Sequence, residues 1–225
     1  MSKKVTLLAL TAVCTALFAL PTAASANFLH VSSTGAFTIS GGAFDWRTTS
    51  GLKISCTSID GSGQFTTTTT GTFTLLYHGC KDSTFGLSCT STGQPSGTVK
   101  TAGEFHLVTI ETINAAGVLL TPLGPTEVTP GKRLDMEMSC FGVTTKFFGN
   151  GLVGTISHPA CGGSSKTSGW VFKHSATSGH QQHTKVTGVS YDLETNAGGM
   201  HTTVSFESSF TITYTDGVAR TLTCT

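Results

Sequence analysis

Between Phe65 and Tyr77 the chain keeps two kinds of residue on opposite parities. Thr66, Thr68, Thr70, Thr72 and Thr74 fall on one, while Phe65, Phe73, Leu75 and Tyr77 fall on the other. A period of two belongs to an extended strand with one wet and one buried face, because successive side chains of a strand point to opposite sides. The pattern returns near the C-terminus, where Thr211, Thr213 and Thr215 interleave with Phe210, Ile212 and Tyr214. Thr221, Thr223 and Thr225 then flank Leu222 and Cys224. No window beyond residue 26 carries a helical period.

Further period-2 stretches lie between Gly, Ser, Asn and Pro punctuation. They are Gly51–Thr57, Gly71–Gly79, Glu104–Thr112, Leu134–Phe141, Val143–Phe148, Gly151–Ser157, Trp170–His174, Thr184–Asp192, Thr202–Glu207, Phe210–Thr215 and Val218–Cys224. Asp216-Gly217 predicts a hairpin between the last two, and Gly149-Asn150-Gly151 predicts another. Pro122–Gly131 and Ala160–Ser168 read as loops. So many short strands predict an all-β fold, an antiparallel sandwich or barrel. Composition agrees: 42 of the 225 residues are Thr, and only 11% are charged. The usual charged share is roughly 25%. That balance excludes a coiled coil, a collagen and intrinsic disorder, which requires low hydrophobicity with high net charge.

The first residues read as an export signal. Lys3 and Lys4 precede an apolar run from Val5 to Leu20, Pro21 breaks it, and Ala24-Ser25-Ala26 offers small residues at a cleavage site. The run is shorter than the roughly 20 residues needed to cross a bilayer. The reading is therefore a signal peptide over residues 1–26 and a single domain over 27–225. A lipid anchor on Cys14 is the minor alternative, and bulky Val13 at its cut fits that signal poorly. Without Lys3 and Lys4 the chain holds 11 basic and 12 acidic residues. Near neutrality argues against nucleic acid or an anionic membrane as the main partner.

Six cysteines remain: Cys56, Cys80, Cys89, Cys140, Cys161 and Cys224. An even count in an exported chain predicts disulfides, and none forms a C-x-x-C pair of the kind zinc or redox sites use. Sequence leaves several connectivities open. The expected set is Cys80 with Cys89 as a local staple, Cys56 with Cys140 across the core, and Cys161 with Cys224. Each closure typically contributes about 2–4 kcal/mol.

Several stretches carry a resemblance: Ile54-Ser-Cys56-Thr, Gly61-Ser-Gly63, Tyr77-His-Gly79-Cys80-Lys-Asp, Ser88-Cys89-Thr and Gln94-Pro-Ser-Gly97-Thr-Val-Lys-Thr. Gly117-Val-Leu-Leu-Thr-Pro122, Met138-Ser-Cys140 and Gly149-Asn-Gly151-Leu-Val-Gly154-Thr-Ile continue it. From about residue 50 onward the chain resembles a group of secreted proteins encoded in actinobacterial genomes. The resemblance implies a shared β architecture and export, and it carries over no catalytic residue. Cys161 and Cys224 are additional to its four-cysteine pattern.

Three constellations are candidates for chemistry. His174, His180 and His183 offer imidazoles that Zn or Cu could use. Their Ser/Gly-rich flanks read as a solvated loop, with no carboxylate nearby in sequence. Asp135 and Glu137, two apart on a predicted strand, share one face and could do acid/base work on a glycosidic bond. The plainer reading is a polar outer face opposite Met136 and Met138, with Lys132 and Arg133 near enough to neutralise it. The Thr66–Thr74 ladder could bind an ordered surface such as ice, a polysaccharide or a mineral, or serve as a wet strand face that Gly71 bends. There is no G-x-S-x-G elbow, P-loop or dinucleotide fingerprint, and no cofactor is implied. The expectation is a secreted, non-catalytic β domain of unknown specific function, read as an envelope-associated or adhesive surface-binding module with cell-wall or extracellular polysaccharide as the candidate partner, and with a secreted glycan-acting hydrolase as the alternative.

Overall fold

The computed structural model describes residues 29–124, 127–176, 179–197 and 199–224. The signal segment, Cys14 and Thr225 lie outside the described residues. No helix occurs among the described residues, so none is long and apolar enough to cross a membrane.

The chain is all-β. Its first strands are β1 (Leu29–Val31), β2 (Gly35–Gly41), β3 (Phe44–Thr48), β4 (Lys53–Cys56), β5 (Ser58–Phe65) and β6 (Thr70–His78). Next come β7 (Lys81–Asp82), β8 (Cys89–Thr90), β9 (Val99–Ile110), β10 (Ala115–Pro122), β11 (Glu127–Thr129), β12 (Lys132–Cys140) and β13 (Val143–Gly149). They are followed by β14 (Leu152–His158), β15 (Ser164–Ser165), β16 (Thr167–Phe172), β17 (Lys185–Val186) and β18 (Val189–Ser190). The last are β19 (Leu193–Ala197), β20 (Met200–Tyr214) and β21 (Arg220–Cys224).

Eight of these close an antiparallel barrel in the order β2, β5, β6, β9, β10, β14, β16, β20 and back to β2. A second sheet runs β7, β4, β3, β20, β19, β13, β12, β8, and the Lys81–Ser88 bridge brings its two ends together. Strand β20 belongs to both. Val204–Glu207 pair with β3, and Phe210–Tyr214 pair with β2. The sequence reading broke this strand in two between Glu207 and Phe210. Buried Ser208 keeps the inward parity of Phe206 and Phe210, and its polar side chain hid the continuity.

An eight-stranded barrel leaves an interior that side chains can fill. Here aromatic rings fill it. Phe65 and Phe105 lie 4.7 Å apart, Phe105 and Trp170 5.2 Å, and Phe172 and Phe210 5.3 Å between centroids. A second cluster of Phe44, Trp46, Tyr77 and Phe206 packs between the barrel and the second sheet. Each fully buried ring stabilises the fold by about 1.5–3 kcal/mol. Small residues make the room. Gly71 stays within β6, directly opposite Phe105, and a Cβ there would meet that ring at 2.5 Å. It is a packing glycine and not the bend expected of it.

Two expected hairpins are corrected. Asp216-Gly217 does turn the chain, but β21 leaves β20 and pairs with β1 and β15. Buried Arg220 holds that exit. Its guanidinium donates to Asp216, to the carbonyls of Ser33, Thr34 and Val218, and lies 4.1 Å over the Tyr214 ring. Gly149-Asn150-Gly151 is a crossing from the second sheet into the barrel, since β13 pairs with β12 and β19 while β14 pairs with β10 and β16.

The disulfides are Cys56–Cys80, Cys89–Cys140 and Cys161–Cys224. The third matches expectation, and the first two correct it. Cys89 and Cys140 are register partners on β8 and β12, and Cys80 sits beside Cys56 because β7 pairs with β4. Both short strands have two residues, too few to display a period that would reveal their neighbours.

Candidate functional site

The threonine face forms across strands, where the sequence placed it along one. Thr66 to Thr69 belong to the β5–β6 turn, in which Thr67 Oγ1 accepts from the Thr69 and Thr70 amides. Thr66 Oγ1 in turn donates to the Thr70 carbonyl. The hydroxyls of Thr66 and Thr67 are thus spent on the turn, and only Thr70, Thr72 and Thr74 remain on β6.

On the barrel's outer surface, however, the register aligns Thr167, Thr213, Thr38, Ser62 and Thr74 as direct neighbours on β16, β20, β2, β5 and β6. Adjacent strands are spaced by about 4.7–4.9 Å, so this row repeats at that interval. Among the described residues, the hydroxyls of Thr38, Ser62, Thr74 and Thr213 have no protein partner. A shallow depression of about 480 Å³ lies over part of this face, where Thr38, Ser62, Thr72 and Thr74 share a mainly apolar wall with Ala36, Ala102 and Leu123. No charged side chain lines it. Sequence could not show the row, because its members come from five segments that only the barrel closure brings together.

The histidines do not form one group. Among the described residues, the cluster that offers metal-ligand atoms is Asp45, His174 and Glu207, and neither His180 nor His183 joins it. Asp45 and Glu207 face each other across β3 and β20. His174 Nε2 lies 2.5 Å from Asp45 Oδ1 and 3.4 Å from Glu207 Oε2, and Nδ1 meets Ser205 Oγ at 2.6 Å. The missing carboxylate partner of His174 is therefore supplied from a distant strand. Arg47 and Lys53 also pair with Asp45 at 3.0 Å and 2.9 Å. Burial alone would raise the Asp45 carboxyl, but bonds from Arg47, His174 and Lys53 outweigh it and bring it down to about 2. His183 is half-buried, and burial together with Lys173 lowers it below the usual histidine range.

A groove of about 510 Å³ beside this network is lined by Asp45, Arg47, Ser55, Glu207, Ser208 and Ser209. The Ser205–His174–Asp45 order of contacts is that of a hydrolytic triad, yet Ser205 is fully buried. Its hydroxyl cannot reach a substrate carbonyl, and nucleophilic catalysis needs that access.

Asp135 and Glu137 do not share a face. Leu134 pairs with Phe148 and Met136 with Phe147, so Asp135 is the extra residue of a β-bulge. Bulges re-aim side chains. This one turns Asp135 inward, where Oδ1 accepts from Thr101 Oγ1 at 2.8 Å, while Glu137 stays outside against Lys146 at 3.5 Å. The residue as a whole is half-buried, but its carboxyl lies within the fold. Burial, opposed in part by Thr101, raises it from 3.8 to about 6. The adjoining cavity, of about 20 Å³, includes Trp46, Tyr77 and Phe206 in its wall. That is room for about one water. Lys132 turns away from both acids and binds Asp192 and Glu194.

No protein-family model, curated protein or solved structure matches the chain. The geometry alone carries the functional argument.

Proposed function

We propose that this chain is an exported, non-catalytic binding domain that holds a hydroxyl-rich extracellular polymer, such as a cell-wall polysaccharide, against the outer face of its barrel. The observation that carries this reading is the cross-strand row of unpartnered hydroxyls under an open, uncharged depression. Hydroxyls with free donors and acceptors at a regular spacing exchange water for sugar hydroxyls at little net cost, and a rigid barrel prepays their ordering. Three disulfides suit an oxidising compartment and support export.

The rival, a glycan hydrolase, finds less support. Inverting or retaining cleavage needs one carboxyl kept protonated beside a second one facing the sugar. Among the described residues the one carboxyl raised toward neutrality is Asp135, beside a space for one water. Asp45, which does line a groove, is held ionised by three partners.

The test is depletion of the oxidised protein from solution by insoluble polysaccharides, with soluble sugar release assayed in parallel. Binding without release is expected. Ser62→Arg, on the exposed face, should abolish it while the melting temperature holds. Sugar release, or equal binding by Ser62→Arg, would overturn the proposal.

A further inference from the structure

Three separate elements each deliver one donor atom beside the groove of the second sheet. Asp45 comes from β3, Glu207 from β20 and His174 from the segment after β16, and the three donor atoms lie within 4.8 Å of one another. Both carboxylates line the groove, whereas the His174 side chain is only 6% exposed.

The fold spends buried polar groups on aiming that imidazole. Fully buried Ser205 donates its hydroxyl to the Arg47 carbonyl at 3.4 Å, and a hydroxyl has one proton to give. Ser205 Oγ therefore accepts from His174 Nδ1–H at 2.6 Å, which leaves Nε2 to face the two acids. The backbone is fixed as well. His174 forms an antiparallel bridge with Gln181. The buried Gln181 amide donates to the Lys173 carbonyl at 2.9 Å and accepts from the Phe206 amide at 3.0 Å. The stretch that carries His174 is thus stitched to the strand that bears Glu207. A hydrogen bond on the far nitrogen is how metal sites set the tautomer and ring orientation of a ligating histidine.

Three acceptor atoms that face one another need a cation among them. A proton on Nε2 serves one close contact, and Asp45 holds it at 2.5 Å while Glu207 stands off at 3.4 Å. A divalent cation serves all three. Zinc takes nitrogen and oxygen donors at about 2.0–2.2 Å, which sets tetrahedral neighbours roughly 3.3–3.6 Å apart. The separation of His174 from Glu207 already fits, and Asp45 needs to draw back by about 1 Å. Arg47 and Lys53 compete for Asp45, both on Oδ2 and Arg47 also on Oδ1 at 3.1 Å. Their side chains are 39% and 42% exposed, and ion pairs of exposed, flexible bases hold weakly. Once the two bases turn to water, two carboxylates and a neutral imidazole balance the charge of a divalent ion.

We propose that Asp45, His174 and Glu207 hold one divalent transition-metal ion of the zinc class at the edge of this groove. One nitrogen and two oxygens suit zinc better than calcium or magnesium, which favour oxygen alone. Three protein ligands leave one tetrahedral position, and it opens toward the groove that both acids line. The hydroxyl row contributes none of these ligands, so the site is independent of the polysaccharide face.

The test is equilibrium dialysis of the oxidised, untagged chain from Asn27 onward against zinc alone. One zinc per chain should bind and raise the melting temperature, and cobalt in its place should give the intense visible absorption of a four-coordinate site. Glu207→Gln should weaken zinc by about 100-fold or more, since loss of an outer hydrogen-bond partner alone typically costs 10–100-fold. Glu207 is exposed, so that variant keeps its fold, and its melting temperature should no longer respond to zinc. The double variant His180→Ala/His183→Ala should bind like the parent. A parent that takes up no zinc, or Glu207→Gln that binds it equally well, would overturn the proposal. So would loss of binding in His180→Ala/His183→Ala, since the loop imidazoles would then be the ligands.

Discussion

His174 Nε2 meets Asp45 Oδ1 at 2.5 Å although the two residues are 129 positions apart. The contact places an imidazole between Asp45 and Glu207, which face each other directly across β3 and β20. Like charges so placed are destabilising unless something intervenes. His174 intervenes, and with Arg47 and Lys53 it turns a repulsive pair into a network that pins the segment after β16 to the second sheet.

Stability should therefore carry an acid limb. Asp45 sits at about 2 in the fold against an ordinary 3.8. A lowered carboxylate contributes stability that is present above its unfolded value and is lost as pH falls through the folded one. Urea midpoints should decline from about pH 4 to about pH 2. Asp45→Asn should cost about 2 kcal/mol at pH 7, the worth of hydrogen bonds to a charged group, and should flatten that decline. Exposed Asp216, also lowered to about 2 by Arg220, leaves a residual slope. An unchanged slope in Asp45→Asn would refute the network.

Asp135 should act in the opposite direction. Its carboxyl is raised to about 6 by burial, so the folded state holds the proton more tightly than the unfolded chain. That contribution is complete below pH 4 and disappears as pH rises through 6. Asp135→Asn keeps an acceptor for Thr101 without the charge. It should be more stable than the parent by about 3 kcal/mol at pH 7.5 and level with it at pH 3.5. Equal midpoints at pH 7.5 would show that the carboxyl is solvated.

The contrast between these two acids shows what was legible in the sequence. Period-2 patterning found β6 because burial alternates along the whole strand, and it also located β12, β13 and β14, where burial alternates only in part or not at all. The same rule put Asp135 and Glu137 on one face, and one bulged residue reversed it. A bulge leaves no trace in an alternating string. The partner of His174 and the hydroxyl row were illegible for a different reason, since both depend on which strands the barrel brings together. The pairing of Cys56 and Cys140 failed likewise, through two strands too short to have a period.

Disulfide connectivity can be read directly. Proteolysis of the unreduced protein followed by mass spectrometry should link Cys56 to Cys80, Cys89 to Cys140 and Cys161 to Cys224. A peptide joining Cys80 to Cys89 would contradict the placement of β7 and β8.

Arg220 should be intolerant of change. It is buried, and its partners are one carboxylate, three carbonyls and the Tyr214 ring. Arg220→Met should cost about 1–3 kcal/mol, because it leaves the carbonyls of Ser33, Thr34 and Val218 without their donor. Arg220→Lys should recover little, because an ammonium cannot reproduce the planar fork. Thermal melts of the two variants distinguish this from a merely apolar contact, which Met would preserve.

The most direct measurement of the central claim compares the parent with Thr38→Val/Thr213→Val for retention on insoluble cell-wall polysaccharide. The double variant keeps the methyl groups and removes two hydroxyls from the middle of the row. The account predicts retention of the parent without sugar release, and at least a several-fold loss in the variant at an unchanged melting temperature. Equal retention of both proteins would contradict it, because the hydroxyl row would then be only the wet side of a barrel.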